Sequence, residues 1–285
     1  MSRLRSLRIA VVAVLPLAAH ACASASEWER IQAGFRTALV DLSERLGGEW
    51  HPDLPAPRAA AASPGAARVV VVGFTGGLEP RGFQDSGIAT VIRQTGGMGG
   101  EGVVALQFTH GEWRQAAARV LDLARSSPDS LGHLRQPLIV ACGHSMGAIS
   151  MGKFAQLLGQ SGLEVSLAVY IDAFSVGTPR VPANVQCAIN FYQRAGIFRG
   201  LPVRGQASLA AVEPARTTLL GNYRLIPRDK PPKARARPNR RLFFEQHYRL
   251  AHDARVQGFI CEAVRILLRL QAEGAAPQAP SDPLR

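Results

Sequence analysis

Apolar and polar positions alternate with two different periods along this chain, and each change of period marks an element. Trp28, Ile31, Phe35, Leu39, Leu42 and Leu46 recur at three- and four-residue steps. That spacing predicts an amphipathic helix capping the core and stopping at Gly47-Gly48. Residues 51–67 show no period; Pro52, Pro55 and Pro57 precede an alanine run closed by Pro64, so this stretch reads as a linker. Arg68 to Gly73 then carries four consecutive valines, the continuous apolar run of a strand covered on both faces. Beyond it the pattern predicts a helix from Phe83 to Arg93, a strand from Val103 to Phe108, a helix from Trp113 to Arg125 and a strand from Leu138 to Cys142. A helix from Met146 to Leu158 follows, then a strand from Val165 to Ile171, a loop over Pro179 to Pro182 and a strand from Val185 to Asn190. The last helix begins near Asp253, with Val256, Phe259, Ile260, Val264, Leu267 and Leu268 on one face.

Strands that alternate with helices predict an α/β fold with a mostly parallel central sheet and helices on both faces. At 285 residues, 47% of them hydrophobic, the chain suits one such domain better than two small ones. No internal repeat is visible.

The first residues change the compartment expected. Arg3, Arg5 and Arg8 precede the apolar stretch Ile9 to Ala19, with small residues Ala21, Ala23 and Ala25 as cleavage positions. Residues 1–25 therefore read as a secretory signal, or as a short uncleaved anchor, because the run falls below the roughly 20 residues of a bilayer span. The expected location is secreted or periplasmic. Residues 26–67 are then an N-terminal helix and linker, and 68–285 the main domain. Attachment through Cys22 is a weaker option, since Ala19-His20-Ala21 lacks the leucine usual in a lipoprotein signal.

Charge adds one feature. The formal net charge of +12 falls to +9 without Arg3, Arg5 and Arg8, and much of the excess lies between Arg228 and Arg241, where Asp229 is the only acid. This proline-broken stretch reads as a solvated loop, with an anionic envelope surface or an acidic substrate as the partner it would suit. It has no interleaved aromatics, so nucleic acid is not expected. Cys142, Cys187 and Cys261, which remain if the signal is removed beyond Cys22, make no disulfide framework. Spacing alone neither pairs nor separates Cys187 and Cys261. No Cys/His cluster has zinc-ligand spacing, and Gly96 to Gly100 lacks the strand and helix context of a dinucleotide loop, so no metal or cofactor is expected.

The chemistry concentrates at Gly143-His144-Ser145-Met146-Gly147, where the buried strand from Leu138 breaks into a helix. Glycines on either side permit a strained turn that pushes the Ser145 hydroxyl outward, and the helix start favours negative charge beside it. A serine so placed attacks a carbonyl.

This G-x-S-x-G elbow and its context, residues 68 to 272, resemble the α/β-hydrolase superfamily. The resemblance implies an α/β-hydrolase-like fold and a serine, acid, histidine order along the chain. It also implies an oxyanion hole shared between the turn after the early strand and the residue after the nucleophile. The paired donors are then Phe74 N–H and Met146 N–H, with the Thr75 hydroxyl as the alternative on the turn. His247 is the preferred base over His252, since it sits in a loop shortly before the closing helix while His252 would lie at the positive helix start. Asp172, at the end of its strand, is the preferred acid; Asp229 is the rival, and Asn190, at the place more usual for the acid, cannot carry the charge.

The expected activity is that of a serine hydrolase, esterase- or lipase-like, cleaving a carboxylic ester or related acyl bond of a small or lipid-like substrate through an acyl-enzyme. An acyltransferase built on the same residues, or a non-catalytic hydrolase-fold binding protein of the cell envelope, is the alternative. Ile197-Phe198, Leu201-Pro202 and Leu242-Phe243-Phe244 offer apolar groups either to an acyl pocket or to ordinary packing.

Overall fold

A computed structural model describes residues 27–46, 69–77, 79, 82–98, 102–126, 136–174, 179–193, 208–226 and 246–275. The signal-like start, the linker, the Arg228–Arg241 stretch and the apolar groups at 197–202 and 242–244 lie outside the described residues. The elements in chain order are α1 (27–45), β1 (Val69–Phe74), α2 (Gly87–Gly96), β2 (Val103–Phe108), α3 (Trp113–Arg125), β3 (Leu138–His144) and α4 (Met146–Gln160). They continue with β4 (Val165–Ile171), β5 (Arg180–Val181), β6 (Val185–Tyr192), β7 (Ala210–Ala211), β8 (Thr218–Arg224), α5 (246–252) and α6 (Ala254–Ala275).

Six strands form one parallel sheet in the order β2-β1-β3-β4-β6-β8, and β5 pairs with β7 beside it. The architecture is the α/β-hydrolase-like one expected, with helices on both faces. The valine run explains itself in this setting. Val69 and Val71 face the core beneath α1, α2 and α6, while Val70 and Val72 face the core beneath α3 and α4. Every residue of β1, β3 and β4 is buried, so the polar alternation of a one-sided strand is missing.

The N-terminal helix belongs to the first of these cores. Phe35, Leu39 and Leu42 of α1 are fully buried against β-strand and α6 side chains, each contributing roughly 1.5–3 kcal/mol by removal from water. Gln32 Nε2 donates to Ser166 Oγ at 3.0 Å, and Tyr223 OH donates to the Ser43 carbonyl at 2.8 Å, tying α1 to β4 and β8.

Four elements depart from the sequence expectation. Arg180–Val181, read as loop, is a short strand; its partner β7 has no counterpart in the pattern, and neither has β8. Its burial runs intermediate, exposed and buried without a clean period, interrupted at Gly221 (φ 136), as suits the outermost strand of the sheet. His247 lies within the short helix α5 rather than in a loop, and Asp253 separates α5 from α6. Cys142, Cys187 and Cys261 are buried free thiols.

Candidate active site

The carboxyl ends of β1, β3, β4 and β6 bring the site residues to one edge of the sheet, where open α/β folds place their ligands. Ser145 is the single residue between β3 and α4, and its backbone sits at φ 57, ψ −123, a conformation that costs a non-glycine residue of order 1–3 kcal/mol. Three hydrogen bonds hold it there. Ser145 N–H donates to the Ile171 carbonyl at 3.0 Å, and its own carbonyl accepts from Ala148 N–H at 3.1 Å and Phe174 N–H at 3.2 Å.

Both glycines of the elbow are required by space. A Cβ at Gly143 would lie 2.6 Å from the Gly147 carbonyl oxygen and 2.7 Å from Ala148 N. One at Gly147 would drive into the Phe74 and Thr75 carbonyls. Backbone atoms cannot swing aside as a side chain can, so a methyl at either position opens the turn.

Asp172 follows β4 directly and is the other non-glycine residue at positive φ among those described, at 42°. Its carboxylate is fully buried. Oδ2 accepts from His247 Nδ1 at 2.7 Å and from Gln193 Nε2 at 3.0 Å, while Oδ1 has no partner. With Nδ1 donating to a carboxylate, Nε2 of a neutral His247 carries the lone pair, the form a general base requires. The helix that carries His247 is seated on α2, where any Cβ at Gly87 would strike the Ala251 carbonyl.

His144 ties this helix to the elbow. Its ring lies 4.4 Å from that of His247, and its Nε2 is 3.1 Å from the His247 carbonyl oxygen, so Nε2 is the protonated nitrogen. Complete burial, with the neighbouring His247 adding to it, holds His144 well below its ordinary value of 6.5. Below pH 6.5 the unfolded chain thus takes up a proton that the folded chain refuses. Denaturant unfolding is expected to show stability falling on acidification from that pH, by at most about 1.4 kcal/mol per pH unit for this one proton. The slope should flatten in His144→Gln.

The oxyanion donors differ from expectation in one place. Phe74 N–H is not free: Phe74 closes β1, pairs with Phe108 on one side and Gly143 on the other, and is fully buried. Thr75 N–H donates to the Phe108 carbonyl at 2.9 Å, so strand alternation turns Phe74 N–H toward β3. The next donor, Gly76 N–H, is held by the Glu79 carboxylate at 3.0 Å. What the turn offers is Gly77 N–H, which has no acceptor among the described residues, and the Thr75 hydroxyl, buried and without a partner. The turn lies close to the serine, since a Cβ at Gly76 would come 3.5 Å from Ser145 Cβ. Met146 N–H, at the first position of α4, points out of the helix start as expected of an unpaired terminal donor.

His252, the alternative base, ends α5 instead of starting the last helix. Burial is the main influence lowering its pKa, opposed by Asp85. Asn190 is buried and donates to Asn222 Oδ1 at 3.1 Å. Asp229 lies outside the described residues. Gln193, which sequence reasoning missed, carries no motif and meets Asp172 only because β6 runs beside β4. No group of three or more metal-ligating side chains occurs among the described residues, and none of their helices is long and apolar enough to cross a membrane.

No family model matches the chain, and no curated protein matches it either. The site therefore stands on its own geometry. A serine held in a strained turn and a buried imidazole–carboxylate pair share one rim. Met146, Ile149 and Phe174 stand around the elbow, each about 40% exposed, an apolar mouth beside the hydroxyl.

Proposed function

We propose that this protein is an exported serine hydrolase that cleaves a carboxylic ester or related acyl bond through an acyl-enzyme. The observation that carries the reading is the strained Ser145 backbone beside the 2.7 Å His247–Asp172 contact. In this reading His247 Nε2 takes the Ser145 proton as Oγ adds to the carbonyl carbon. Negative charge on the carbonyl oxygen is met by Met146 N–H at the α4 start and by Gly77 N–H or the Thr75 hydroxyl. Protonated His247 then gives its proton to the departing alcohol, and a water, deprotonated by the same imidazole, releases the acid. Asp172 stabilises the imidazolium in both halves. The basic and apolar pattern of residues 1–25 supports export, and the apolar mouth supports an acyl or alcohol group with hydrocarbon character.

Rapid mixing with an activated aryl ester tests the proposal: a burst of phenol equal to the enzyme present is expected, and an aryl phosphonate should add its mass at Ser145. Absence of both burst and adduct across several leaving groups would overturn it.

The Thr75 hydroxyl gives a second test with two opposed readouts. Replacement by valine keeps the shape and removes a buried hydroxyl that has no partner, so Thr75→Val should resist denaturant better, by about 1 kcal/mol or more. If the hydroxyl meets the oxyanion, the same variant should lose roughly 10²–10³ in kcat with KM little changed. A variant that is stabilised and fully active would assign the turn donor to Gly77 N–H alone.

A further inference from the structure

Beside the elbow lies a cavity of about 310 Å³ that the proposed chemistry does not use. One wall is a stripe of α4, residues Ala148, Ile149 and Lys153; the other is formed by Tyr170 of β4, Phe174 just after it and Arg180 of β5. It adjoins the nucleophile through two backbone bonds, since Phe174 N–H and Ala148 N–H both donate to the Ser145 carbonyl.

Its polar side chains are two cations, a hydroxyl and the Gln156 amide, which is the one among them that also offers a carbonyl acceptor. The Tyr170 hydroxyl is buried without any hydrogen-bond partner, an arrangement that costs free energy unless an acceptor arrives from outside. Lys153 and Arg180 are exposed, and neither has a carboxylate partner among the described residues. The Lys153 ammonium sits 5.9 Å from the Trp113 ring centroid, which positions it without neutralising it. One orphaned donor and two uncompensated cations thus border a space whose nearer walls, Ile149 and Phe174, are apolar. A hydrocarbon segment ending in an anion matches that order of surfaces.

We infer that this cavity is a substrate subsite for an acyl group whose far end carries an anion, a carboxylate or a phosphate monoester, received by Tyr170, Lys153 and Arg180. The inference rests on the ester-hydrolase reading above and names the class of substrate that reading left open. None of the three side chains takes part in bond breaking, so their removal should change selectivity and leave the chemical step alone.

The test compares para-nitrophenyl hemisuccinate with para-nitrophenyl butyrate, which share acyl length and leaving group and differ in the terminal charge. In wild type kcat/KM should favour the hemisuccinate by about tenfold or more, the ratio a single charge-assisted contact gives, and the preference should shrink as salt is added. Lys153→Gln/Arg180→Gln should abolish the preference while butyrate turnover is unchanged, and Tyr170→Phe should reduce it. Equal turnover of both esters by wild type, or a preference that survives the double variant, would overturn the subsite and leave the hydrolase standing.

If neither ester is turned over, the hydrolase reading falls and the subsite is read by binding alone. Calorimetry of Ser145→Ala with monomethyl succinate should then show salt-dependent binding that the added Lys153→Gln/Arg180→Gln changes remove; no binding would overturn the subsite too. Competition by succinate against competition by glycerol phosphate tells the carboxylate from the phosphate.

Discussion

Ser145→Ala is expected to lower kcat toward an activated aryl ester by about a millionfold, leaving a residue of rate above water from the remaining donors and binding groups. The reason is chemical as well as geometric. The hydroxyl is the only group at the elbow able to form the acyl-enzyme, and without it His247 has no proton to take. A companion variant separates chemistry from folding. At φ 57 any side chain is strained, and glycine is not, so Ser145→Gly should be equally inactive yet more stable by about 1 kcal/mol. Initial rates and denaturant midpoints on the same preparations decide both halves. Turnover within a factor of ten of wild type in either variant would remove Ser145 from the mechanism. Unchanged or reduced stability in the glycine variant would mean that the turn is not strained as its backbone angles imply.

That strain illustrates how far the sequence could be read. The valines of β1 and the apolar run of β3 are legible because a strand buried on both faces admits almost nothing else. The Gly143 and Gly147 positions are legible because their Cβ atoms would meet backbone. Asp172 is legible as the residue that ends an apolar strand. The end of β1 is not legible, because a glycine-rich turn does not announce where its ladder stops; the 2.9 Å bond from Thr75 N–H to Phe108 extends the pairing one residue beyond Phe74. β8 was missed for a different reason: an outer strand with a glycine at φ 136 has neither a continuous apolar run nor a clean alternation. Gln193 and the role of His144 depend on contacts between segments 21 and 103 residues apart, and no local pattern encodes those.

These long-range contacts converge on the imidazole. His247 is bonded through Nδ1 to Asp172 and through its backbone carbonyl to His144, while Gln193 occupies the same oxygen, Asp172 Oδ2, that His247 uses. The ring is thus fixed from the acid side and from the elbow side at once. In the proposed reaction, an imidazole held in this way would lose little entropy on taking the serine proton.

Asp172→Asn is accordingly expected to cost about ten-thousandfold in kcat with little change in KM. Two effects act in the same direction. The variant removes the negative charge that stabilises the imidazolium formed in each half-reaction. It also offers an amide that can present its NH₂ to Nδ1, which would place the ring proton on Nε2 and abolish the base. Gln193 opposes that flip, because its Nε2 donates to the same oxygen that faces His247 Nδ1 and so holds the amide oxygen there, which leaves the lost charge as the larger of the two effects. Asp229→Asn, in the basic stretch, should leave kcat at the wild-type value. Rates of the two variants against one aryl ester decide between the acids. Full activity in Asp172→Asn, or the large loss appearing in Asp229→Asn instead, would transfer the role and leave the 2.7 Å contact as a buried structural pair.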